Sequence, residues 1–67
     1  MVNRKLLLGT AMRKGLSCKD LSTQLNINPS TLSMKLGNKR EFTIGEVAKL
    51  KELLNLSNKD FNDIFFN

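Results

Sequence analysis

Helix-start signals recur along this chain at short intervals and leave no room for a long element. Ser17 is followed three residues later by Asp20, Asn28 directly by Pro29, and Thr43 three residues later by Glu46, while Ser57 opens a last segment. Ser, Thr and Asn side chains accept from the unpaired N–H groups of a first helical turn. An acid three residues on completes the same turn, and Pro at its first position gives up an N–H that has no intrahelical partner. A chain punctuated in this way folds as several short helices.

Apolar spacing fills in the elements. The first helix is expected from about Asn3 to Lys14, with Leu7, Leu8, Ala11 and Met12 on one face and Gly15 as a left-handed cap. The second starts at the Ser17 cap, runs to about Leu25 and buries Leu21 and Leu25. Asn26 follows at positive φ, which Asn tolerates better than most residues, and Ile27 plugs the gap to the next helix. Asn28 caps the third helix. Leu32 and Leu36 then face inward, Ser30, Thr31 and Met34 face outward, and Lys35 flanks that outer side. The fourth helix follows Thr43 with Ile44, Val47, Leu50, Lys51 and Leu54 at helical period, Lys51 being the one break, and Asn55 ends it. Ser57 caps a fifth helix reaching about Phe65, with Phe61, Ile64 and Phe65 on its apolar side. No segment alternates with period two, and there is no internal repeat or low-complexity tract. The expectation is an all-α fold: one compact five-helix domain over residues 1–67. Its second and third helices, at about 17–36, have the outline of a helix-turn-helix.

Composition narrows the chemistry. The chain has 67 residues, 40% of them hydrophobic, which suits a single folded domain. One cysteine and no histidine leave no intramolecular disulfide and no finger-type zinc site. Scattered carboxylates suggest no nucleophile–base or acid–base pair, and no glycine loop is spaced to cradle phosphate, so neither catalysis nor a cofactor is expected. The longest apolar runs, Leu6–Leu8 and Ile64–Phe66, are three residues each, against the roughly twenty a membrane span needs. Neither a span nor a signal peptide is expected, and a reducing cytoplasm is the default compartment.

Charge is unevenly placed. Residues 1–40 hold eight basic side chains (Arg4, Lys5, Arg13, Lys14, Lys19, Lys35, Lys39, Arg40) against Asp20 alone, while residues 41–67 hold three basic and five acidic ones. The halves therefore carry +7 and −2 of the net +5. The half containing the helix pair suits a polyanion; the other does not.

Several words of the sequence resemble the lambda-repressor-like helix-turn-helix fold, of the Cro and XRE type, and more closely the small Cro-like regulators of temperate phages of Gram-positive bacteria. They are LLG…MRKGLS at the end of the first helix, INPSTLSMKL across the turn and third helix, KREFT before the fourth, and the terminal IFF. The resemblance covers nearly the whole chain. It departs from the family pattern at Ser22, where a small alanine-like residue is usual, at Asn26, where glycine often opens the turn, and at Gly37-Asn38, where the usual order is Asn-Gly.

The resemblance implies a transcriptional regulator that reads double-stranded operator DNA in the major groove with its third helix, as a homodimer on a pseudo-palindrome, in the bacterial cytoplasm and on the nucleoid when bound. The implied base-reading set is Asn28, Ser30, Thr31, Met34 and Lys35. The implied phosphate contacts are Ser17, Cys18, Lys19, Ser33, Asn38, Lys39 and Arg40, the first three at a helix N-terminus. Each residue also has an ordinary use. Asn28 can simply cap its helix, and Ser30 and Thr31 can supply first-turn polarity. Met34 can fold onto the core, and the Lys35 stem can cover apolar surface. Cys18 is either a redox switch or a plain small side chain, and Phe66 either core or a dimer contact. A different class of function is open to the same fold: a protein-interaction module, such as an antirepressor or modulator, that binds another phage regulator through the acidic half and the terminal phenylalanines.

Overall fold

Helices begin where capping side chains stand. In the computed structural model, which describes residues 1–66, α1 spans Arg4–Arg13, α2 Cys18–Leu25, α3 Pro29–Leu36, α4 Ile44–Leu53 and α5 Asn58–Phe65. No strand occurs among the described residues. Asn3, Ser17, Thr43 and Ser57 each accept a backbone N–H from the turn they open. At Ser17 and Thr43 the box closes, with Asp20 and Glu46 accepting the N–H of the cap residue. Asn28 is a correction: it precedes α3, but its side chain makes no capping bond. The preset φ of Pro29 starts that helix instead.

Four helix ends share one device. Gly15, Asn26, Asn38 and Asn55 lie in the left-handed region, at φ of 77°, 56°, 61° and 49°. The following N–H then donates to a carbonyl five residues back: Leu16 to Ala11, Ile27 to Ser22, Lys39 to Met34 and Leu56 to Lys51, at 2.9–3.0 Å. This is the Schellman arrangement, which satisfies carbonyls a helix end leaves orphaned. It also accounts for the Gly37-Asn38 order, since Asn38 takes the left-handed position and Gly37, at φ −85°, does not need its freedom. Asn is strained there relative to Gly. Asn55 is exposed and its side chain makes no hydrogen bond among the described residues. Asn55→Gly is therefore expected to stabilise the fold by about 0.5 kcal/mol, seen as a higher urea midpoint; a lower midpoint would contradict the assignment.

The helices bury one core. Leu7, Leu21, Leu32, Leu50, Leu54 and Ile64 are fully enclosed, with Ala11, Leu36, Leu56 and Phe65 beside them. Helix α2 packs on α3 and α4, and α1 packs on α5. The Asn3 N–H donates to the Ile64 carbonyl at 2.7 Å, fastening the start of α1 to the end of α5. The radius of gyration is 10.6 Å, close to the roughly 11 Å of a well-packed chain this long. Among the described residues no helix is long and apolar enough to cross a membrane.

Two expected core positions are not core. Met12 is 74% exposed and Ile44 90% exposed. The buried stripe of α1 is Leu7, Thr10 and Ala11, and at about 100° per residue Met12 falls well round the helix from its centre. Ile44 is the first residue of α4, a turn before the stretch that packs. Leu8 and Leu25 are half-buried.

Candidate nucleic-acid interface

Leu32 and Leu36 seat α3 on the core, and that seating decides which of its side chains face out. Asn28, Ser30 and Ser33 are exposed, Met34 is 38% exposed and Thr31 is half-buried. With no capping duty, the Asn28 amide is free to bind elsewhere. Two shallow grooves flank the helix. One is lined by Thr23, Asn26, Asn28, Thr31 and Arg40, with Ser22, Ile27 and Lys35 at its floor and sides. The other is lined by Arg4, Cys18, Pro29 and Ser33 together with Leu32 and Leu36. An arginine thus stands on each side of α3.

The loop after α3 folds back beneath it. The N–H groups of Lys39 and Arg40 both donate to the Met34 carbonyl, at 2.9 and 3.3 Å, and both side chains are exposed. Of the eight basic side chains in residues 1–40, Lys35 alone is ion-paired among the described residues. The exposed face of α3 offers hydroxyls, an amide and a thioether among uncompensated cations. Such groups can bond base edges and phosphate oxygens.

Three expected contacts are placed differently. Lys35 is the clearest correction: it is 5% exposed and not on the outer side of α3. Its ammonium pairs with Glu46 and lies 5.9 Å from the Phe42 ring centre. Its stem does cover apolar surface, but its charge meets a carboxylate and not water. Burial works against the Glu46 charge; the hydrogen bonds from Lys35 and from the Thr43 N–H outweigh it and hold the carboxyl below its ordinary value. Ser17 donates both its N–H and its hydroxyl to Asp20 Oδ2, at 2.8 and 3.0 Å. Those same bonds hold the Asp20 carboxyl low. A carboxylate already sits where a phosphate on Ser17 would bind, so Ser17 is occupied. Asn38 turns its amide onto Val2: Oδ1 accepts the Val2 N–H at 2.8 Å, and Nδ2 donates to the Val2 carbonyl at 3.3 Å. Cys18 and Lys19 remain exposed at the start of α2.

Arg4, Thr23 and Asn26 line the two grooves, although the sequence assigns none of them a contact. Arg4 opens α1 and Ser33 lies on α3, and no local spacing relates the two. Thr23 and Asn26 carried a readable signal, since both are polar and flank the turn into α3. No family model matches the chain, and no curated protein or solved structure is significantly similar to it.

Proposed function

We propose that this domain is a sequence-specific DNA-binding transcriptional regulator of the lambda-repressor-like, Cro-like type. In this reading α2 and α3 form the helix-turn-helix and α3 lies in the major groove. The supporting observation is the outward face of α3, where exposed Ser30 and Met34 adjoin a groove that holds Arg40 with Asn28 and Thr31, and a second groove holds Arg4. These four outward residues contact base edges; Arg4, Cys18, Lys19, Ser33, Lys39 and Arg40 contact the backbone. Lys35 has no part in readout. A homodimer places two such helices about one helical turn apart on a pseudo-palindromic operator.

Selecting bound duplexes from a random pool tests this directly. The expected result is a palindromic consensus bound more tightly than random DNA at physiological salt. A pool that yields no consensus sinks the proposal. The roles separate further by substitution. Lys39→Ala is expected to weaken all sequences alike and to reduce the slope of log K against log salt by about one. Thr31→Ala and Met34→Ala are expected to change base preference instead. A changed preference with an untouched slope in Lys39→Ala would reverse the assignment.

A second reading, a module that binds another regulator, has its own observation. Val2, Phe42, Val47, Phe65 and Phe66 give a groove of about 380 Å³ an apolar wall, with Arg40 and Glu41 at its polar side, and Phe66 is 70% exposed. Pull-down of a partner regulator, with only weak and non-specific DNA affinity, would favour it.

A further inference from the structure

Asparagine at position 38 is conformationally costly. The backbone there, at φ 61°, favours glycine, and the equivalent end of α1 uses Gly15. Asn26 and Asn55 share the conformation, but among the described residues neither side chain hydrogen-bonds across the fold. Asn38 does. Its amide brackets Val2 at both N–H and carbonyl, across 36 residues of sequence. Val2 is followed by Asn3, whose N–H is fastened to Ile64 at the end of α5. One side chain therefore ties the loop after α3 to the α1–α5 side of the molecule. The two residues that follow it are Lys39 and Arg40, exposed and unpaired among the described residues.

We infer that Asn38 is a positioning residue for the Lys39–Arg40 backbone clamp, and not itself a phosphate contact. This rests on the DNA-binding reading above. The Schellman bond sets the turn, and the Asn38–Val2 bracket stops the loop from swinging about it. Held this way, two long flexible side chains start from a fixed base and lose less freedom on meeting phosphate.

Asn38→Gly separates the two uses of the residue, because glycine keeps the left-handed turn and removes only the bracket. The variant is compared with wild type, with Lys39→Ala/Arg40→Ala and with the combined triple variant on a random-sequence duplex over a range of KCl. Asn38→Gly is expected to melt no lower than wild type and to lose hydrogen-exchange protection at the Val2 amide. Its affinity should fall about three- to tenfold with the salt slope little changed, since the same phosphates are met at a greater entropic cost. Added to Lys39→Ala/Arg40→Ala, it should cost nothing further, since the groups it positions are gone. Wild-type affinity in Asn38→Gly overturns the inference, as does a full additive loss in the triple variant or an unchanged Val2 amide. If wild type itself does not bind the duplex, the DNA-binding reading fails and takes this inference with it. If wild type binds and Asn38→Gly matches it, only the positioning role fails.

Discussion

Glu46→Ala is expected to cost about 3 kcal/mol of folding stability, because it strands Lys35 in the interior and opens the α4 capping box. The two side chains are 6% and 13% exposed, so little water can replace the lost partner. Domains of this size have only about 3–5 kcal/mol to lose, and the melting midpoint should drop by about 15–20 °C. Circular dichroism at increasing temperature reads this directly. A loss under about 1 kcal/mol would mean that the ammonium escapes to solvent, and the buried pair would be wrongly described. Replacing both partners by apolar residues, Lys35→Met with Glu46→Leu, should restore most of the loss, since no buried charge is then left alone.

The same pair predicts an acid limb. Glu46 has a folded-state pKa below its ordinary value near 4.5. A carboxyl depressed on folding contributes stability that is fully present above its unfolded pKa and lost as pH falls through the folded one. Stability should therefore decline below about pH 4.5, and Glu46→Gln should flatten part of that decline.

Leu50→Ala is expected to be comparably damaging, at about 2–5 kcal/mol, since the side chain is wholly enclosed and its removal leaves a cavity. Ile44→Ala, on the same helix and in the same apolar period, should change stability by less than about 0.5 kcal/mol. Urea unfolding of the two variants compares them under one condition. Equal losses would place Ile44 in the core, against its 90% exposure.

The contrast between Leu50 and Ile44 shows where a linear sequence stops being informative. Helix starts at Ser17, Thr43 and Ser57 were legible because the cap and the N–H groups it serves lie within three residues. Helix ends at Gly15, Asn26 and Asn55 were legible for the same local reason. Periodicity gives a face but neither its exact centre nor the length over which a neighbour covers it, so Met12 falls round the helix from the stripe that packs and Ile44 a turn before it. The inward turn of Lys35 is not legible from spacing, because its partner stands eleven residues away on another helix. The outward set Ser30, Thr31 and Met34 followed from the inward Leu32 and Leu36. The Asn38–Val2 bracket and the Arg4 side of the site depend on how α1 is placed against the rest, and no spacing along the chain encodes that.

Among the described residues no helix exceeds ten residues, below the roughly twelve to fifteen at which an isolated helix begins to hold in water. None of the five can outlast the core that joins them. Secondary and tertiary order must then vanish together, and the unfolded ensemble keeps almost no helix. The face of α3 is in consequence all or nothing. The chain either presents it whole or is an open coil exposed to proteolysis, and the population split between the two sets how much of it a cell can hold.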